Sequence, residues 1–256
     1  MTRHPLQRLE APSRQLSLAL HLAGISSFAA SFRFLETWDT PMGKAYGGHY
    51  QFLTILGLSL AMVTFLMGAA ADLTMSSRLF AVKNALSSLS TPLEVLISVL
   101  YWGLCAIDKS LVMPSDFALD LLPDIGFHAA PAIFLAIDML FFSPPWAIRG
   151  YTAMAMSQIW AFGYWYWVEH CFSKNGWCVD YSVPSANIVK TNSFLHRYPY
   201  PIFDILSIPQ RALLFALAAL IMTSSSAALK WVYGKVNGIE DMKREATKEP
   251  IRVKSS

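Results

Sequence analysis

Long uninterrupted apolar runs organise this chain. Six of them recur, at about residues 15–35, 50–71, 92–107, 125–142, 150–172 and 209–231. A bilayer core of about 30 Å needs about 20 mostly apolar residues in a helix. Lipid offers no partner to a bare backbone N–H or C=O, so a spanning run is either helical or part of a closed barrel. None of the runs shows the ten-residue alternation of barrel strands, and each predicts a helix. The third run is short, starting at Pro92, and with the fourth it carries the weakest pattern. Residues 76–90 have apolar positions at irregular helical spacing and read as an interfacial helix or a loop. The fold class that follows is all-α, a polytopic transmembrane bundle of about six helices. An N-terminal segment (1–14) precedes the bundle (15–232). A polar tail (233–256) follows it, expected to continue as a frayed helix before losing order. No internal repeat is visible.

Composition supports a lipid-facing exterior. Only 14% of the 256 residues are charged, against 54% hydrophobic, and mean hydropathy is +0.39. Soluble domains carry about 25% charged residues. A net charge of +3, with no basic run interleaved with aromatics, argues against nucleic acid as a partner. Eight Trp and ten Tyr suit interfacial belts. Cys105, Cys171 and Cys178 form no CxxC zinc pattern and are too few for a disulfide framework. The first apolar run lacks a clear small-residue cleavage site and reads as a retained helix. Six spans put both termini on one side. That side collects thirteen Lys and Arg against seven opposite, seven of the thirteen in the tail, which predicts cytosolic termini.

Polar groups inside spans invite a functional reading. Topology brings the start of the second and fourth helices to one membrane face. Thr54 lies one turn into the second, and His128 one turn into the fourth. Asp124 stands four residues before His128, on the same helical face. His49, His170 and His196 gather at that face too. Each has a plainer reading. A Thr in a membrane helix usually bonds its own i−4 carbonyl or a neighbouring helix, and a lone His near a helix end is more often simply bonded there. Asp138 is about 15 Å along the axis from His128 at 1.5 Å per residue, so it is expected to pair within the bundle or line a cavity. Cys171 and Cys178 form a disulfide or stay free thiols, according to the compartment. The aromatics of the fifth helix are packing and belt residues, or the wall of an acyl-chain pocket.

The run Tyr46-Gly47-Gly48-His49-Tyr50-Gln51-Phe52-Leu53-Thr54 resembles the Gly-Gly-x-x-x-x-Leu-Thr signature of the androgen-induced protein family of six-helix membrane proteins. Leu122-Pro123-Asp124 through His128 to Asp138 is similar to a second signature of that family. Trp167-Val168-Glu169-His170, followed by Trp177 and Pro184, resembles a third block. The resemblance implies a threonine hydrolase of fatty acid esters of hydroxy fatty acids, with Thr54 as nucleophile and His128 as its partner. It also implies an endomembrane location, the endoplasmic reticulum above all. Animal members often have Asn at the position of Asp124 and His at those of Ile125 and Glu169. The pair Thr54 and His128 is untouched by these departures. In such a site the His takes the Thr proton during attack, and Asp124, turned towards the ring, sets its tautomer. His49 and His170 are possible supporting groups.

Two other classes compete. His49, His128, His170 and His196, with Asp124 and Asp180, have the donor types of a zinc hydrolase, although no spacing among them is a recognised metal pair. A non-enzymatic membrane regulator is compatible with the composition. A transporter would show repeated halves or paired broken helices, and neither is visible. The hydrolase reading requires no metal or other cofactor. Its partners are a lipid ester substrate and the bilayer.

Overall fold

The computed structural model describes residues 13–113, 119–144, 149–175 and 198–237. The helices in chain order are α1 (Ser13–Thr37), α2 (Pro41–Lys44), α3 (Leu53–Thr74), α4 (Ser77–Asp108), α5 (Leu121–His128), α6 (Ala130–Phe142), α7 (Gly150–Asn175), α8 (Pro201–Ile205) and α9 (Ile208–Val236). No strand occurs among the described residues. The chain is an all-α membrane bundle. α3 lies at its centre between α1 and α4, while α9 bridges α4 and α7. Large apolar side chains such as Ile107, Ile159, Leu213 and Leu220 face outward, where only a lipid solvent leaves them at no cost.

By length and apolarity, α1, α3, α4 and α9 qualify as candidate membrane spans, and the bent pair α5–α6 adds a fifth when its halves are taken as one span. The sequence pattern predicts about six. The difference is α7. Its 26 residues are long enough to cross, but they include Trp160, Trp165, Trp167, Tyr151, Tyr164 and Tyr166, which prefer the headgroup level to the hydrocarbon centre.

Two boundaries differ from the pattern. The short third run and the separate segment 76–90 are one helix, α4, of 32 residues with Pro92 inside it. Proline removes one ladder hydrogen bond, yet the helix runs through, because Ser87, Ser90, Thr91 and Pro92 are all buried against neighbours. Hydroxyl bonds knit this stretch, Ser87 Oγ to Thr91 Oγ1 at 3.2 Å and Thr64 Oγ1 to Ser90 Oγ at 3.3 Å. Conversely, the single helix expected over 125–142 is broken at Ala129, and its halves α5 and α6 meet at 42°. Pro131 offers no N–H to the carbonyl of Phe127, one turn earlier, so the ladder fails there.

A buried ionic cluster ties the end of the bundle remote from Thr54. His21 Nδ1 lies 2.7 Å from Asp72 Oδ2, and its Nε2 lies 3.2 Å from Asp138 Oδ1. Lys83 Nζ contacts Asp138 Oδ2 at 2.7 Å and donates to Ser143 Oγ at 2.8 Å. Ser17 donates to Asp72 at 2.9 Å, and Tyr233 to the Ser143 carbonyl at 3.0 Å. Thus α1, α3, α4, α6 and α9 meet at one polar knot inside the bundle. Gly68 permits this, since a Cβ there would overlap the His21 ring. Asp138 therefore pairs within the bundle, as expected. Lys83 does not belong among the orienting loop charges, because it is buried in a helix and held by an ion pair.

Candidate functional site

The chain before α3 is shaped by two glycines. Gly47 and Gly48 have φ of 87° and 51°, the left-handed region that a Cβ disfavours. A Cβ on Gly47 would also stand 2.7 Å from Cys171 Sγ. The turn is clamped on α7: Tyr46 N donates to Asn175 Oδ1 at 2.7 Å, Trp167 Nε1 to the Tyr50 carbonyl at 2.9 Å and Tyr164 OH to the Gln51 carbonyl at 2.7 Å. This is the physical content of the Gly-Gly-x-x-x-x-Leu-Thr run: it aims the first turn of α3. Gly47→Ala is expected to lower the stability of the purified protein by about 1–3 kcal/mol through strain at that φ, seen as a lower melting temperature in detergent.

Thr54 is the second residue of α3 and is buried. Elsewhere hydroxyls are returned to the helix: Thr64, Thr74 and Thr223 all bond the carbonyl four residues back. For Thr54 that carbonyl belongs to Tyr50 and is taken by Trp167. Its hydroxyl and amide instead neighbour the phenol of Tyr200, whose oxygen accepts the Leu53 N–H at 3.1 Å. The first amides of a helix have no intrahelical acceptor, so donors collect around Thr54.

His128 sits at the α5–α6 break. Its carbonyl, freed from the ladder, accepts from Ser98 Oγ and from Trp102 Nε1, the latter at 3.3 Å, which fixes the break against α4. Its Nδ1 is 2.9 Å from Asp124 Oδ1. With Nδ1–H donating to the Asp124 carboxylate, Nε2 is the basic nitrogen. The Tyr101 ring lies flat on the imidazole, with centroids 3.4 Å apart and planes 3° from parallel. The Tyr101 hydroxyl makes no hydrogen bond of good geometry, and its nearest polar neighbours are Asp124 and Cys105.

Thr54, Tyr101 and His128 border two adjacent cavities. The larger holds about 90 Å³ of free room between α4, α7 and α9, with walls that include Leu96, Ile97, Tyr164, Phe215 and Met222. The smaller holds about 30 Å³ and is walled by Trp38, Phe52, Ile55, Phe127 and His128. Thr54, Tyr101, Val112 and Tyr200 line both and form the neck between them.

Thr54 and His128 thus line the smaller cavity together, and Asp124 holds the His128 ring from behind. The structure does not bring His49 or His170 there, so the supporting role expected of them has no geometric basis. His49 stacks on Trp38 at 6.1 Å with Nδ1 unpaired, and burial holds its pKa below the ordinary imidazole value. His170 rests among Tyr46, Tyr166 and Trp167. Among the described residues, no three His, Cys, Asp or Glu side chains converge as a metal site. His196, Asp180, Cys178, Trp177 and Pro184 lie outside the described residues, as do the segment 1–12 and the tail beyond 237. Cys105 and Cys171 carry free thiols.

Three features escaped the sequence reading. Tyr101 and Tyr200 carry no local signal that separates them from other membrane tyrosines. Glu169 holds the chain segment that presents Tyr200: it accepts from Arg211 at 2.7 Å, Tyr198 at 2.8 Å and Trp165 at 3.0 Å, and the Arg211 guanidinium lies 4.4 Å over the Tyr198 ring. The His21 cluster was legible in principle, because His21 and Lys83 lie in the N-terminal parts of their helices and Asp72 and Asp138 in the C-terminal parts of theirs, which alternate in direction. Ser17, His21 and Asp72 have the composition of a catalytic triad but not its geometry. The serine donates to the aspartate, and His21 Nε2 faces a second carboxylate.

Comparison with known proteins agrees with this architecture. Residues 16–184 match the model of the FAR-17a/AIG1-like protein family. A UPF0641 membrane protein of Schizosaccharomyces pombe is 30% identical over 224 residues, covering 86% of this chain and 92% of the relative. No solved structure matches. The chain is an integral membrane protein and belongs to the FAR-17a/AIG1-like family.

Proposed function

We propose that this protein is a lipid ester hydrolase that cleaves fatty acid esters of hydroxy fatty acids through an acyl-threonine intermediate. The observation that carries the reading is the position of Thr54 at the neck between two apolar lobes, one of them walled by His128. An ester joining two alkyl chains suits this arrangement: the carbonyl sits at the neck, the carbons next to it enter the two lobes, and the rest of each chain runs out between the helices towards lipid. Burial of the chains supplies binding energy, and the neck supplies the reacting groups.

Thr54 Oγ attacks the acyl carbon as its proton passes to His128 Nε2, and the carbonyl π pair moves onto oxygen. The C–O bond to the alcohol then breaks, and the alkoxide takes the proton from His128. Water repeats the sequence on the acyl-threonine, releasing the acid. Asp124 holds the tautomer and stabilises the imidazolium, which contributes through the general-base step a factor of about 10² to 10⁴. With α7 counted as a sixth span, as the Lys and Arg bias of the loops and tail favours, both termini lie in the cytosol and Thr54 opens towards the lumenal leaflet of an endomembrane, the endoplasmic reticulum by family analogy.

A long-chain fluorophosphonate tests this reading directly. Applied to the purified protein, it is expected to add one phosphonyl group, and peptide mass spectrometry is expected to place the group on Thr54. Modification only at other residues, or none, argues for a regulator without hydrolase chemistry.

A further inference from the structure

The attack on an ester places negative charge on the carbonyl oxygen, and that charge needs donors. The inventory at the neck is short. The Tyr164 proton is committed to the Gln51 carbonyl at 2.7 Å. The Trp167 indole is committed to the Tyr50 carbonyl at 2.9 Å, and Trp102 to the carbonyl of His128. His128 Nδ1 is committed to Asp124. The Tyr101 hydroxyl is turned towards Asp124 and Cys105.

Tyr200 differs from the committed donors, and unlike Tyr101 it stands beside the Thr54 hydroxyl. Its oxygen accepts the Leu53 amide, which orients the phenol and leaves its own O–H to donate. The hydroxyl of Thr54 is beside it. Its ring lines both lobes, so it stands where the two chains of a substrate diverge. The ring is held edge-on by Phe52 at 5.6 Å and Phe203 at 5.7 Å, so the phenol reaches the neck without reorganising.

We propose that Tyr200 is a further catalytic residue, whose phenolic O–H, together with the Thr54 backbone N–H, receives the oxyanion formed when Thr54 attacks. This rests on the hydrolase reading given above. The step transfers no proton from Tyr200. The O–H that neighbours Thr54 in the resting state donates to the carbonyl oxygen as its charge develops, and returns when the C–O bond breaks and the carbonyl reforms. The nucleophile's own amide at a helix N-terminus supplies the second donor.

The test uses the full chain in lipid nanodiscs, with a saturated fatty acid ester of a hydroxy fatty acid as substrate. The inhibitor is a long-chain trifluoromethyl ketone, which adds Thr54 Oγ to give a stable oxyanion. Tyr200→Phe is expected to lower kcat about 10²-fold with KM within about twofold, and to weaken ketone inhibition by the same factor as kcat. A structural role would not make the loss track the oxyanion analogue while sparing substrate binding. If Thr54→Ala is inactive but Tyr200→Phe matches wild type in both readouts, the Tyr200 assignment falls and the hydrolase stands. If wild type and Thr54→Ala turn over the ester equally, the hydrolase reading falls and takes this assignment with it. Should Tyr200→Phe fail to fold, 2,3-difluorotyrosine at position 200 keeps the bond to Leu53. Its more acidic phenol is expected to move the alkaline limb of the kcat–pH profile to lower pH, and an unmoved limb overturns the proposal.

Discussion

Thr54→Ala is expected to reduce ester hydrolysis by about 10⁴-fold or more while leaving the melting temperature nearly unchanged. The size of the loss follows from the chemistry. Without the hydroxyl no acyl intermediate forms, and water must attack unaided in an apolar neck. The small structural cost follows from the position. Thr54 is in the first turn of α3 and its hydroxyl carries no helix back-bond. Alanine therefore removes a group that contributes little to the packing. Thr54→Ser is expected to retain part of the activity, because it keeps the oxygen and loses only a methyl. Release of fatty acid from a defined ester, followed by mass spectrometry in nanodiscs, measures all three proteins. Equal rates in wild type and the Ala variant would end the threonine mechanism.

The second large effect lies at the other end of the bundle and concerns stability. Asp138→Ala is expected to destabilise the fold by about 3–5 kcal/mol, because it strands Lys83 and leaves one nitrogen of His21 without a counter-charge. Lys83 and Asp138 are 1% and 0% exposed, so water cannot compensate either group. Both ring nitrogens of His21 face carboxylate oxygens, an arrangement suited to an imidazolium. With His21 charged, the four groups sum to zero, and removing one carboxylate unbalances the set. The double variant Asp138→Leu with Lys83→Met removes both members of the pair and is expected to be more stable than Asp138→Ala. Denaturant unfolding in detergent, followed by tryptophan fluorescence, gives the comparison. A double variant no better than the single one would mean that the cluster is held by packing rather than by charge balance. Because Asp138 is remote from the neck, both variants that fold are expected to keep hydrolysis.

The two predictions separate what the chain needs for chemistry from what it needs for assembly. In the sequence, both kinds of residue look alike: isolated polar groups in apolar helices. Depth in the membrane sorts them only partly. Thr54 and His128 are brought together because their helices start from the same face, and this can be read from the order of the runs. The same reasoning, applied to the other face, would have gathered His21, Asp72, Lys83 and Asp138. His49 and His170 show where depth fails. They share the right face but point into aromatic stacks rather than the cavity, since azimuth around a helix is set by packing.

Sequence alone determined the class of solvent, the number of apolar runs and the face at which a hydroxyl and an imidazole gather. Hydrophobic burial and backbone hydrogen bonding in lipid act on composition and length, which need no neighbours to be read. Tertiary structure decided the rest. Pro92 was carried inside a helix whose neighbours bury it, whereas Pro131 broke one: it has no N–H for the Phe127 carbonyl, and Ser98 and Trp102 hold the adjacent carbonyl of His128 at the break. Tyr200 reached the neck from beyond α7 because Glu169 and Arg211 hold its strand of chain. Such outcomes depend on which side chains meet across elements distant in sequence, and no local pattern encodes a contact before the helices have packed.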